Sequence, residues 1–280
     1  MTIQWFPGHM AKARRKVQEH LKMVDVVLEL LDARIPASSQ NPMLGEIIGD
    51  KPRLIILNKS DLADPDRTAA WQNHYQARKV ISIAVEAVHG KGVNKIPPAV
   101  KELAAVRMQS ARFAVRHARL ARCMVLGIPN VGKSALINRL SRQKVAKTGD
   151  KPGVTRGPQW IRLAQDLELL DTPGILWPKF EDPEVAFRLA VTGAIKEEVF
   201  DLDEVALGLI TWLRDQNPEA LITRYRLASL PDDPHLSLQS VGTARGYYVP
   251  GGQVDLHKAA VNVLKEFREG KLGRYTLELP

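Results

Sequence analysis

Eight residues, Gly127-Ile128-Pro129-Asn130-Val131-Gly132-Lys133-Ser134, carry the most specific chemistry in the chain. They fit the spacing G-x-x-x-x-G-K-[ST] of a phosphate-cradling P-loop. The glycines let backbone N–H groups wrap phosphate oxygens, and the start of the following helix adds partial positive charge. Lys133 would reach the β- and γ-phosphates and the Ser134 hydroxyl would bind magnesium, with Asn130, Val131, Gly132 and Ala135 completing the cradle. Such a loop needs a strand before it and a helix after it. Residues 123–126 read as a buried strand and residues 132–140 as a helix, so the context is right.

Two more segments acquire meaning from that loop. Asp171-Thr172-Pro173-Gly174 follows the apolar run 167–170. Alone it is a turn; downstream of a P-loop it reads as a magnesium-side carboxylate and a γ-phosphate-sensing glycine. Between the two lies Thr155, in a polar loop over 151–155, the natural switch threonine that touches magnesium only when a triphosphate is bound; an ordinary loop residue is the alternative. Asn58-Lys59-Ser60-Asp61 ends the apolar run 54–57, where ligands bind in a parallel sheet. The Asp61 carboxylate can accept from guanine N1–H and the 2-amino group, a pattern adenine lacks. Asn58 would brace the loop, and the Lys59 stem would cover base and ribose. A surface turn is the bland reading of N-K-S-D, and only the P-loop elsewhere in the chain displaces it. Ser82, Ile83 and Ala84, read as the end of the next strand, would offer backbone contacts to guanine O6.

The order of these motifs is reversed relative to ordinary GTPases, in which the P-loop comes first and the base-reading motif last. Residues 175–280 hold no second N-K-x-D, so one nucleotide has to be gripped by both halves of a circularly permuted sheet. Exposed loops and nearby termini make such a permutation physically tolerable.

The elements that must position these motifs follow from periodicity. Met10, Ala13, Val17, Leu21 and Val24 share a helical face. Strands are predicted over 26–31, 54–57, 80–83 and 123–126, with two more near 160–163 and 167–170. Helices are predicted over 66–77 and 93–106, which gives βαβ units and a mostly parallel sheet. Beyond about residue 178 strand signals become scarce. Helices are expected over 184–190, 203–214 and 218–226. A last helix carries the stripe Leu256, Ala259, Ala260, Val263, Leu264 and Phe267, capped by Asp255 and ended by Gly270. The expected fold class is α/β: a circularly permuted Ras-like P-loop GTPase domain over 1–178, and a smaller all-α domain, expected to bind RNA, over 179–280.

Composition narrows the partners. The 280 residues include 40 Lys and Arg against 31 Asp and Glu, a net charge of +9, which favours a polyanion. The stretch 103–149 has ten Lys or Arg (Arg107, Arg112, Arg116, Arg119, Arg122, Lys133, Arg139, Arg142, Lys144, Lys147) and no acid. Lys12, Arg14, Arg15 and Lys16 add a second cluster; Lys258, Lys265, Arg268 and Lys271, near Tyr247 and Tyr248, add a third. Singly these are solvated surface; jointly they point to RNA phosphate. The single cysteine, Cys123, excludes a disulfide framework. No apolar run has the length of a membrane span and the first residues lack a secretory pattern, so a cytoplasmic protein without a membrane partner is expected.

With these residues placed, the chain resembles the circularly permuted GTPases of the YlqF/RbgA family, ribosome biogenesis GTPase A. The resemblance runs from Trp5-Phe6-Pro7-Gly8-His9-Met10, through Asp32-Ala33-Arg34 and the nucleotide motifs, to Gly251-Gly252 and the segment 267–273. It implies a monomeric switch that binds GTP and GDP and acts in late maturation of the large ribosomal subunit precursor, with a helical RNA-contacting second domain. A GTP-liganded assembly factor without catalysis and a GTPase acting on tRNA are the rival readings. Ile175 follows Gly174 where other GTPases carry a water-orienting glutamine. Either hydrolysis is slow or another group orients the water. His9, to which the resemblance also points, is the candidate catalytic residue; a local capping role is the alternative. Asn130 resembles the asparagine that holds a potassium ion in related GTPases, and it would otherwise only shape its loop.

Overall fold

Strand residues apolar on both faces are the main determinant of this fold. The computed structural model describes residues 15, 17–109, 120–141, 159–164, 167–171 and 182–280. In them β1 (Val26–Asp32), β2 (Arg53–Asn58), β3 (Ile81–Val85), β4 (Ala121–Leu126), β5 (Gln159–Ala164) and β6 (Leu167–Asp171) form one six-stranded sheet in the order β3-β2-β1-β4-β6-β5. All neighbours are parallel except the β5–β6 hairpin. Every residue of β1 is buried, as expected of a central strand covered on both faces.

The helices of this unit are α1 (Pro42–Ile48), α2 (Pro65–Ala77), α3 (Ile96–Gln109) and α4 (Lys133–Ser141). Asp64 caps α2 by accepting from the backbone N–H groups of Asp66 and Arg67, with Pro65 in the first helical position. Residues 17–21 are helical as well. Val17, Leu21 and Val24 are buried in one cluster with Val27, Met124, Leu126 and Leu170. Each such side chain contributes about 1.5–3 kcal/mol, so residues 17–24 belong to the core. The three strands it reaches, β1, β4 and β6, sit side by side. That is the placement a circular permutation demands: chain that follows β6 in space precedes β1 in sequence.

The described residues divide into two units, one of residues 182–275 and one holding the sheet. The first contains α5 (Pro183–Val191), α6 (Leu202–Gln216), α7 (Glu219–Tyr225), α8 (Pro234–Ala244) and α9 (Leu256–Arg268). Asp182, Asp201, Asp233 and Asp255 each cap a helix through a side-chain oxygen. On α9 the carboxylate of Glu266 receives both Arg224 (2.9 and 2.7 Å) and Arg245 (3.1 Å), tying the ends of α7 and α8 to it. Among the described residues no helix is long and apolar enough to cross a membrane.

Two details depart from the sequence reading. Helix α8 lies outside the expected helices: its signal, Asp233-Pro234, is a cap followed by a helix-starting proline, but Leu238 and Val241 are too few to show a period. And Thr276–Pro280, expected to belong with the helices, groups with the sheet unit, because its side chains and backbone are satisfied there.

Candidate nucleotide site at the carboxyl edge of the sheet

In parallel sheets ligands bind beyond the carboxyl ends of the strands, and four of the sequence motifs leave the sheet on that side. Asp32 pairs with Asn58, and Asn58 with Val85. Leu126 leads into Gly127, and Leu170, paired with Met124, leads into Asp171. The P-loop strand β4 is central, flanked by β1 and β6.

The P-loop geometry explains its residue types. At Gly127 a Cβ would lie 2.6 Å from the Leu30 carbonyl oxygen, and at Gly132, with φ +101°, 2.2 Å from Asn58 Nδ2. Both glycines are required by close approach of neighbouring chain. Lys133 is buried, and its ammonium donates to the carbonyls of Gly127 (3.0 Å) and Ile128 (2.7 Å), which holds its charge within the loop. Ser134 and Ala135 follow in the first turn of α4, both half-buried. Asn130 has φ 55°, a left-handed backbone that asparagine tolerates better than most residues.

Asn58 joins the two halves of the permuted chain. Its Nδ2 donates to the Val131 carbonyl of the P-loop at 2.8 Å, and its Oδ1 accepts from the Ala87 N–H at 3.0 Å. The side chain is 2% exposed. Replacement by alanine strands a buried carbonyl and a buried N–H, each costing about 1–3 kcal/mol. We therefore expect Asn58→Ala to lower the unfolding free energy by about 2–5 kcal/mol, measured by urea denaturation. A loss below 1 kcal/mol would mean that the brace is dispensable.

Beyond Asn58, Lys59 adopts φ 59° and Asp61 is half-buried. The imidazole of His89 lies 3.8 Å from Asp61 and 3.7 Å from Glu86, too far for hydrogen bonds. The three groups converge closely enough to hold an ion, but an ion there would occupy the carboxylate that a guanine base needs. Lys59 Nζ lies 2.9 Å from Asp32 Oδ2. Asp32 in turn receives Arg34 Nε at 2.9 Å and Nη2 at 2.7 Å. Burial raises the Asp32 pKa, yet Arg34 and Lys59 together outweigh it and hold the carboxyl well below the usual range.

The structure corrects one placement. Ser82, Ile83 and Ala84 are not the end of β3; they pair with Ile55, Ile56 and Leu57 inside the sheet. The Ser82 carbonyl accepts from Gln72, and Gly92 packs over the Ala84 carbonyl. The segment that emerges beside Asn58 is Glu86-Ala87-Val88, whose carbonyls at Ala87 and Val88 receive Arg139 from α4. Val80 and Ile81 look like the start of a strand over 80–83, but its last residue is the buried Val85.

His9, Thr155 and Gly174 lie outside the described residues, as do Lys12, Arg14, Lys16, Arg112, Arg116, Arg119, Arg142, Lys144 and Lys147; Asp171 is described in its backbone alone. Several other cations have partners already. Arg122 meets Glu168 at 3.1 Å and stacks over Trp160. Lys258 covers the Tyr247 ring. Arg268 donates to the carbonyls of Val191 and Ala190 and meets Glu197.

Comparison with known proteins agrees with this architecture. Residues 122–223 match the family model described as 50S ribosome-binding GTPase; the match begins at β4, with Asn58–Asp61 upstream of it. The chain is 50% identical to ribosome biogenesis GTPase A of Priestia megaterium, covering 100% of this chain and 98% of that protein. It is 35% identical to mitochondrial ribosome-associated GTPase 1 of Mus musculus, over 99% of this chain and 90% of that one. The GDP-bound YlqF structure superposes with a TM-score of 0.65 at 24% identity, covering 95% of this chain and 99% of the other. The GNP-bound YlqF from T. maritima gives 0.64 at 24% identity, over 96% and 98%. A permuted P-loop sheet with a helical unit, matched end to end at half identity, leaves one assignment: the chain belongs to the ribosome biogenesis GTPase A family and is a circularly permuted GTPase of ribosome maturation.

Proposed function

We propose that this chain is a GTP-hydrolysing switch which binds the large ribosomal subunit precursor in its GTP form and leaves after hydrolysis, as a cytoplasmic monomer. Asp61 reads the guanine edge, Lys59 covers the base, and Asn58 fixes both to the P-loop. Asn130, Val131, Gly132, Lys133, Ser134 and Ala135 hold the phosphates. The backbone donor to guanine O6 passes from Ser82–Ala84 to the Val88 N–H, because the Glu86 and Ala87 N–H groups already donate to the Lys91 carbonyl and to Asn58. Thr155 and Gly174 sense the γ-phosphate. The observation that carries this reading is the Asn58 carboxamide, which bonds the P-loop and the Ala87 loop at once.

The chemistry of the donors suits magnesium. Ser134 ends the P-loop motif as the second residue of α4, and Asp171 ends the strand adjacent to β4; hydroxyl and carboxylate oxygens match a hard cation, with Thr155 as a third. Bound there, magnesium would neutralise charge on the β- and γ-phosphates. Potassium at Asn130 rests on the family resemblance alone. The cations outside the described residues, with Lys265, are the proposed rRNA phosphate contacts; Lys271 already pairs with Glu269 at 2.6 Å.

The direct test is Lys133→Ala. Losing a charge-assisted contact to two phosphates should weaken GTP binding by about 10²-fold or more, read by titration with a fluorescent GTP analogue. Normal affinity and turnover in that variant would refute the site.

A further inference from the structure

The last residues of the chain form a strap that no part of the nucleotide reading uses. Thr276, Leu277 and Glu278 are buried, and their bonds go to two places. Toward the Ala33–Ser38 loop, Thr276 Oγ1 donates to the Ala33 carbonyl at 3.2 Å, and Leu277 N–H donates to the Arg34 carbonyl at 2.8 Å. The Glu278 carboxylate accepts from Ser38 N–H at 3.0 Å and Ser38 Oγ at 2.7 Å. Toward α2, the Thr276 carbonyl accepts from Arg67, and the Glu278 carbonyl from Trp71 Nε1.

These two places bracket the base-reading loop. Upstream, Arg34 makes the bidentate pair with Asp32, and Asp32 holds the Lys59 ammonium. Downstream, α2 begins at Pro65, a few residues after Asp61. Lys59 sits at a left-handed φ of 59°, a conformation that costs energy for a side-chain-bearing residue and persists only when its surroundings hold it. Its ammonium, on a side chain 23% exposed, has the buried Asp32 carboxylate as counter-charge at 2.9 Å. A Lys59 stem whose end is held at Asp32 can lie along a base as an apolar strip.

We propose that Asp32 and Arg34, clamped by the C-terminal strap Thr276–Glu278, are positioning residues that fix Lys59 and its loop for the guanine base and so set the lifetime of bound nucleotide. They act through Lys59 and touch no phosphate. The strap follows directly on Tyr275, the last residue of the helical unit, so a partner that displaces it would release nucleotide without altering the P-loop. This inference rests on the guanine-site reading above.

The test measures release of a fluorescent GDP from the full chain, from Asp32→Asn, and from a chain ending at Tyr275. Both variants should release GDP about tenfold faster, with KM for GTP raised by a similar factor and kcat within about twofold, because ground-state and transition-state binding fall together. Pyrophosphate, which has no base, should compete equally well in all three. If Asp32→Asn does not fold, the strap deletion, which leaves the buried Asp32–Arg34 pair in place, still decides. Unchanged GDP release in a folded variant overturns the proposal. So does an equal weakening of pyrophosphate, which would make the network a general scaffold. A wild-type protein that holds ADP as well as GDP would instead sink the guanine-site reading itself, and this inference with it.

Discussion

Millimolar ATP should leave bound GDP in place, and Asp61→Asn should abolish that selectivity. The carboxylate of Asp61 is half-buried at the edge of the sheet, with no hydrogen bond to His89, so it is free to accept both donors of a guanine. Adenine offers no matching pair and leaves the acid unsatisfied; sites built on such a polar match reject the mismatch by about 10⁴–10⁵. An amide at the same position swaps one acceptor for a donor. Guanine then meets N–H with N–H, while xanthine, with a carbonyl in place of the 2-amino group, becomes complementary. The expected result is a loss of about 10²–10³ in GDP affinity, on the scale of lost charge-assisted bonds, and a gain for xanthine nucleotides. Equilibrium competition against a fluorescent GDP measures both. Equal binding of ATP and GTP by the unaltered protein would remove the case for Asn58–Asp61 as the base-reading segment.

That selectivity depends on a site assembled from distant parts of the chain, and those parts differ in how openly the sequence announces them. The P-loop and the runs at 54–57 and 123–126 were legible because their chemistry is local: a fixed spacing of glycines with lysine, or apolar residues without a polar face. The permutation was legible because two motifs that need one ligand appear in the wrong order. The sheet order, with β4 central and residues 17–24 packed against Leu170, has the same logic in three dimensions. What stayed hidden depends on tertiary neighbours. Asp32-Ala33-Arg34 could be noticed but not interpreted, since the ion pair matters only when buried against Lys59. Arg139 looked like one cation among many, and its two carbonyl partners are far upstream in the chain. The strap residues Thr276–Glu278 carry no pattern at all; their partners lie more than two hundred positions away.

Hydrolysis needs a water-orienting group other than residue 175, because the Ile175 side chain that follows Gly174 cannot hydrogen-bond water where other GTPases use glutamine. Val17, Leu21 and Val24 anchor the N-terminal segment on the strand pair that leads to the P-loop and to Asp171, and His9 stands a short way upstream of that anchor in the chain. An imidazole with an ordinary pKa near 6.5 can accept a hydrogen bond from water at neutral pH. We propose that docking on the large subunit brings His9 to the attacking water, so that the free enzyme is slow and subunits stimulate it. General base or orienting groups contribute about 10²–10⁴ in rate. His9→Ala should therefore lose about 10²-fold or more of the subunit-stimulated phosphate release, while GDP affinity and co-sedimentation with subunits stay unchanged. Stimulation should also fall steeply with salt, since docking through phosphates releases counterions, whereas nucleotide affinity should respond far less. A His9→Ala protein with full stimulated turnover would assign the water-orienting group to the ribosome instead.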